Sequence, residues 1–141
     1  LWYTDDAGHI FGNGAAMDEA VRLADRQVAR IWEAVKFREK NFDEEWMVIV
    51  TTDHGRGYDG YGHGGQSERE RITWVATNQK VNRRLRSGRC AAVDIAPSIC
   101  KFMGFEIPQE VRWEQDGTSR MRSSLNNGTG STLSSCAPAT V

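Results

Sequence analysis

Residues 46–55 read WMVIVTTDHG, an unbroken apolar segment that leads directly into an aspartate, a histidine and a glycine. Because the segment from Trp46 to Thr52 is apolar without alternation, it predicts a strand that is covered on both faces. In open α/β sheets, ligands bind in the loops that follow such strands. The stretch therefore predicts that Asp53 and His54 stand in a functional loop at the end of a buried strand.

A long amphipathic helix is predicted upstream of this strand. Apolar residues recur in steps of four and three from Met17 to Val35, which places them on one face of a helix over about residues 15–40. Asn13 is positioned to cap this helix. Asp18 falls in its first turn, where the helix dipole favours a carboxylate.

The remaining elements complete an α/β pattern. Residues 1–5 and 72–77 are predicted to be strands, and Asp94 is predicted to cap a short helix that ends at Gly104. This order of elements predicts an α/β fold with a largely parallel sheet and helices on both faces. Since the first strand has no lead-in, we expect the fold to be incomplete at the N-terminus; a processed N-terminus is the alternative.

A change of composition predicts where the folded domain ends. Residues 1–121 have the composition of a globular domain, whereas residues 122–141 are rich in serine and glycine and predict a linker or tail. Three cysteines fit neither a disulfide framework nor a zinc finger. Cys100 is expected to be buried, and Cys90 with Cys136 is the candidate pair for a disulfide in an exported protein.

Bulk composition excludes some classes of function. The chain has 141 residues, of which 39% are apolar and 26% charged, as is typical of one globular domain. Its formal net charge of −1 argues against a nucleic-acid-binding surface. No apolar run approaches the ~20 residues that cross a bilayer, so no membrane span is predicted.

The histidines indicate a metal site. His9, His54 and His63 each neighbour a glycine in a predicted loop, Asp5 precedes His9 by four residues, and Asp53 directly precedes His54. Singly, each pattern is typical of an ordinary surface turn. Jointly, carboxylates and imidazoles in three loops predict a site suited to zinc and also to manganese.

The residues around these loops are less specific. Arg56 lies between two of the loops and is a weak candidate for binding substrate, since most such residues are solvated. The charged run at 68–71 is interpreted as the solvated entry to a strand.

At these residues the sequence resembles the alkaline phosphatase superfamily. The stretches that carry the resemblance are Asp5-Asp6-Ala7-Gly8-His9, Val50-Thr51-Thr52-Asp53-His54-Gly55 and Gly62-His63-Gly64-Gly65, supported by Ile72-Thr73-Trp74-Val75 and by Val93-Asp94-Ile95-Ala96-Pro97-Ser98 leading to Met103-Gly104. The histidine between glycines in the third stretch is similar to the phosphodiesterase and nucleotide pyrophosphatase branch. The chain thus resembles the C-terminal half of such a catalytic domain.

The resemblance implies a site for two Zn²⁺ ions, with Mn²⁺ as the alternative. Asp5, His9 and His63 match the ligands of one metal, and Asp53 and His54 match two ligands of the other. Asp6 is a rival of Asp5, although the four-residue step to His9 favours Asp5. The family's nucleophile, a threonine or serine, belongs to an N-terminal half that no segment here matches, so this chain alone is predicted to be inactive.

The implied activity is metal-dependent hydrolysis of a small-molecule phosphate ester or nucleotide by in-line attack. A sulfatase or phosphomonoesterase of the same superfamily and a non-catalytic metal-binding domain are the alternatives. A cofactor-independent phosphoglycerate mutase is disfavoured because the tail is interpreted as a linker to a further C-terminal module. The same tail resembles exported members, which predicts a secreted or periplasmic protein.

Overall fold

A computed structural model describes residues 2–88, 90–121 and 132–136, the last segment by its backbone. The helices and strands in chain order are α1 (Tyr3–Phe11), α2 (Ala15–Asn41), β1 (Ile49–Thr51), α3 (Glu68–Arg71), β2 (Thr73–Thr77), α4 (Arg83–Arg86), a 3₁₀ turn (Ala92–Asp94), α5 (Ile95–Phe102), α6 (Gln109–Arg112) and β3 (Thr132–Cys136). These residues form two compact units: the first comprises residues 2–46 and 55–70, and the second comprises residues 47–54 and the chain after residue 70. None of the described helices is long and apolar enough to cross a bilayer.

The first unit is built on α1 and α2, which pack against each other, and on the loop over residues 55–67. The chain turns between the helices at Gly12, whose φ of 64° suits glycine. The ring of Tyr61 lies where a Cβ at Gly12 would point, at 2.9 Å. The loop therefore packs directly onto the α1–α2 connection.

The predicted strand at residues 1–5 is wrong, because Trp2 is the N-cap of α1 and residues 3–5 lie in its first turn, while residue 1 lies outside the described residues. The aromatic and β-branched side chains of Trp2, Tyr3 and Thr4 favour a strand. However, Asp5 and its neighbour lie in the first turn of α1 and His9 lies in its last turn, which complements the helix dipole at both ends. The helix also replaces the loop that was predicted around His9.

The long helix is confirmed as α2, but its predicted cap is wrong. Gly14 occupies the N-cap position, and no side chain caps the first N–H groups there. Asn13 instead packs against Gly60, where an added Cβ would lie 2.7 Å from the Asn13 side chain. Asn13 therefore contacts the loop and does not cap α2.

The second unit is built on a three-stranded sheet in the order β1–β2–β3. Both pairs are antiparallel: Val50 faces Ala76, and Val75 faces Ser134. The sheet's core residues are Val75, Val81, Leu85, Cys90 and Met121. The α/β class thus holds, whereas the described strands contain none of the parallel pairs that the sequence predicted.

The connection between β1 and β2 has no long helix of the kind that usually joins parallel strands. A parallel pair needs a long crossover, usually a helix packed on the sheet. Between β1 and β2 the described chain has only the four-residue helix α3. The strand after Trp46 is also shorter than predicted and its three residues are half-buried or exposed, so it is not covered on both faces.

Asp94 stands at the N-cap of α5, as predicted, but its carboxylate caps nothing in that helix. It is buried and accepts hydrogen bonds from the backbone N–H groups of Ala91 and Thr118 and from Arg120. Cys90 is disulfide-bonded and Cys100 is a free thiol. The side chain of Cys136 and most of the predicted tail lie outside the described residues.

Candidate metal centre

Helix α1 places two predicted ligands on one face. Residues four apart in a helix are neighbours on its surface, and the Nε2 atom of His9 lies 3.4 Å from Oδ2 of Asp5. Asp6, the rival of Asp5, is exposed on another side of the helix, where its N–H bonds the carbonyl of Trp2. The i, i+4 spacing therefore selects Asp5.

The loop over residues 55–67 brings His63 to the same place. Its Nε2 atom lies 3.0 Å from Nε2 of His9 and 3.5 Å from Oδ1 of Asp5. The two imidazole rings are tilted by 52°, with centroids 4.8 Å apart. Gly64 follows at a φ of 98°, a conformation that favours glycine and lets the loop turn beside the ring. Residues 54 positions apart thus meet at one point.

These distances fit a metal ion. Zinc binds nitrogen and oxygen at ~2.0–2.2 Å, so adjacent ligand atoms of a tetrahedral ion lie about 3.3–3.6 Å apart. The observed separations of 3.0, 3.4 and 3.5 Å are close to the edges of such a tetrahedral face, although each imidazole faces its own oxygen of Asp5. The side chains of Asp5 and His9 remain 41% and 46% exposed, which leaves room for a further ligand.

Arg56 is engaged with this centre through Asp5. One terminal nitrogen of its guanidinium donates to the carbonyl of Asp5 at 2.6 Å and also contacts Oδ1 of that residue. The other donates to the carbonyl of Tyr61 at 3.2 Å. Whether Arg56 also binds substrate, as the sequence suggested, stays a prediction.

Glu70 anchors the loop that carries His63. Its carboxylate accepts hydrogen bonds from the N–H of Gly65 at 2.9 Å, from the N–H of Ser67 at 3.3 Å and from the Ser67 hydroxyl. The Ser67 hydroxyl and the Gly65 N–H hold the pKa of Glu70 below its ordinary value, and nearby His63 lowers that pKa further. The sequence interpretation of residues 68–71 as solvated missed this role. The step of three from Ser67 to Glu70 was the available signal.

Asp53 and His54 belong to the second unit and follow β1 directly. The Nε2 atom of His54 lies 3.7 Å from Oδ2 of Asp53, and the His54 N–H donates to the other oxygen at 3.1 Å. The Thr52 hydroxyl donates to the carbonyl of His54 at 2.9 Å. The Asp53 side chain is 87% exposed. Their role as ligands of a second metal stays a prediction.

Known proteins share this sequence pattern. The family described as type I phosphodiesterase / nucleotide pyrophosphatase matches residues 2–57, which include α1 and the Asp53–His54 pair. A 2,3-bisphosphoglycerate-independent phosphoglycerate mutase of Mycoplasma mycoides subsp. mycoides SC is 28% identical over 112 residues, covering 78% of this chain and 20% of that protein. The chain thus spans about a fifth of this curated relative. No solved structure matches the chain significantly.

Both matches agree with the motifs that indicated the alkaline phosphatase superfamily. The family match covers the Asp5–His9 and Asp53–His54 motifs, and the relative aligns over most of the chain. The resemblance is therefore confirmed: residues 2–57 match the type I phosphodiesterase / nucleotide pyrophosphatase family of this superfamily.

Proposed function

We propose that the protein is a metal-dependent enzyme of phosphoryl transfer and that Asp5, His9 and His63 hold one of its metal ions. The observation that carries this proposal is the convergence of one carboxylate and two Nε2 atoms within 3.5 Å of their nearest partners. Two Nε2 atoms can face each other at 3.0 Å only if one donates a proton or both bind a cation. A divalent ion satisfies both rings and the carboxylate together.

The metal chemistry follows from the ligand types. Imidazole and carboxylate suit zinc, with manganese as the alternative. By resemblance, we propose that Asp53 and His54 are ligands of a second ion. Divalent ions in such a site neutralise charge on phosphoryl oxygens and lower the pKa of a bound nucleophile. The proposed role of the residues named here is to hold and orient the metal ions. The threonine or serine nucleophile of the family matches no residue of this chain.

The proposed reaction is hydrolysis of a phosphodiester or nucleotide, because the matched family is described as phosphodiesterase and nucleotide pyrophosphatase. A second candidate is a phosphoglycerate mutase, which the relative's name favours. A sulfatase, a phosphomonoesterase and a non-catalytic metal-binding domain complete the alternatives. From the resemblance we also propose export to the periplasm or medium and a further C-terminal module.

Rates of the intact, metal-loaded protein on four substrates separate these reactions: a bis-aryl phosphate, an aryl phosphate, an aryl sulfate and phosphoglycerate. We expect the bis-aryl phosphate to react fastest. A rate that is highest on phosphoglycerate would replace the hydrolase with the mutase. A rate on none of them would support the non-catalytic domain.

The metal site is tested by His63→Ala in the same protein. Loss of a direct ligand is expected to lower activity by about a hundredfold or more, above the ~10–100-fold that partners outside the ligand set cost. The matched control is Gln66→Ala, an exposed residue of the same loop, which should leave activity unchanged. Full activity of His63→Ala would remove His63 from the site.

A further inference from the structure

The guanidinium of Arg56 joins the two segments that supply the three converging ligands. On one side it bonds the carbonyl and the carboxylate of Asp5 in α1. On the other side it bonds the carbonyl of Tyr61, two residues before His63. Its side chain is only 13% exposed. One rigid group therefore sets the distance between α1 and the His63 loop.

We propose that Arg56 is a positioning residue that holds Asp5 and the His63 loop in metal-binding geometry, an inference that rests on the metal site proposed above. The planar guanidinium fixes its donors in one fork, which no lysine reproduces. Residues that hydrogen-bond to metal ligands orient those ligands and change the affinity of the site for its metal.

Gly8 provides the space that this arrangement needs. It is the buried residue of α1, and a Cβ there would lie 2.1 Å from Cζ of Arg56. Inside a helix, glycine is less stable than alanine by roughly 0.5–1 kcal/mol. The chain thus has the weaker helix former at the one position of α1 where the guanidinium crosses the helix. Gly8→Ala should favour the helix locally and displace the guanidinium.

The geometry also separates positioning from substrate binding. Both terminal nitrogens of Arg56 are directed at carbonyl and carboxylate oxygens of this chain. A substrate-binding arginine would change KM when replaced and leave the metal affinity as it was. A positioning arginine changes the metal affinity and the coordination spectrum, while KM stays the same at saturating metal.

The experiment titrates Co²⁺ into the intact protein and records its visible d–d bands and its Kd by chelator competition. We expect Arg56→Gln to weaken Co²⁺ binding by about 10–100-fold and to alter the bands. Arg56→Lys should restore the charge without restoring the bands. Gly8→Ala should reproduce the Arg56→Gln spectrum with Arg56 still present. The control is Arg30→Gln, an exposed arginine of α2.

The outcomes separate the inference from the proposed function. Unchanged Co²⁺ affinity and bands in Arg56→Gln, with binding lost in His63→Ala, would overturn the positioning role alone. A raised KM with unchanged metal affinity would also overturn it and make Arg56 a substrate-binding residue. If Co²⁺ binds equally to the unmodified protein and to His63→Ala, the metal site and the role of Arg56 both fall. Thermal melts identify any variant that loses Co²⁺ binding because it unfolds. If Arg56→Gln unfolds, the Co²⁺ affinity and bands of Gly8→Ala test the positioning role of Arg56 instead.

Discussion

The described residues include an arginine–aspartate ion pair in each compact unit, and the two pairs differ in how far the carboxylate is buried. Arg120 pairs with Asp94 in the second unit, and Arg56 pairs with Asp5 in the first. Both arginine side chains are 13% exposed. The carboxylates differ, because the Asp94 side chain is 5% exposed and that of Asp5 is 41% exposed.

The bonds around each carboxylate explain the difference. Asp94 accepts from two backbone N–H groups, those of Ala91 and Thr118, and from the guanidinium of Arg120, at 2.6–2.8 Å. Ser98 adds to this network by donating to the Asp94 carbonyl and accepting from the Arg120 N–H. A carboxylate so fully bonded stabilises the fold and has little capacity for a ligand.

Asp5 keeps an open side. Arg56 bonds one of its oxygens, while His9 and His63 face the carboxylate at 3.4 and 3.5 Å. An arginine–aspartate pair is therefore structural where both carboxylate oxygens are hydrogen-bonded within the protein, as in Asp94. It is a candidate site where part of the carboxylate still faces titratable side chains and solvent.

The largest effect should come from Asp94→Asn. Removing one partner of a buried ion pair leaves the other charge uncompensated, so we expect the free energy of unfolding to fall by about 3–5 kcal/mol. Urea unfolding measures this change, and the exposed Asp116 gives the control Asp116→Asn. A loss below about 1 kcal/mol would show that the Asp94 network is not structural.

Asp5→Asn should show the opposite pattern. Because this pair is partly exposed, we expect a stability change of less than about 1 kcal/mol. The affinity for Co²⁺ should nevertheless fall at least tenfold, since an anionic ligand is lost. Asp6→Asn is the control on the neighbouring residue and should leave the affinity unchanged. Large destabilisation with unchanged metal affinity would make the two pairs equivalent.

The smallest effect is expected from Glu70→Gln. The amide keeps one acceptor oxygen where the carboxylate has two, so the hydrogen bonds to Gly65 and Ser67 are not all retained. We expect Co²⁺ affinity to fall by up to about tenfold through a loosened His63 loop. Glu68→Gln, an exposed neighbour in α3, is the control. Equal affinities in both variants would show that Glu70 does not position His63.

Local patterns predicted elements whose cause is local. The period of apolar residues predicted α2, and the β-branched and aromatic run predicted β2. Prediction failed where one local preference was outweighed by another, or by a contact with a distant group. Residues 3–5 have strand propensity but lie in α1, whose charged ends complement the helix dipole. Asn13 could cap α2 but packs against Gly60. The direction of the strands also depends on connections that propensity does not describe.

The sequence by itself determined which side chains are available for metal chemistry, and the spacing from Asp5 to His9 already contained one edge of the site. It also carried the family resemblance, because motif residues and their order are properties of the chain. The resemblance also grouped His63 with Asp5 and His9. Only the tertiary structure showed which other residues contact these side chains and their loop: Arg56, Gly8 and Glu70. The physical reason is that a side chain forms hydrogen bonds with the groups that the fold brings within reach, whatever their separation along the sequence. These positions are set by the packing of the 55–67 loop on α1, and no local rule encodes that packing.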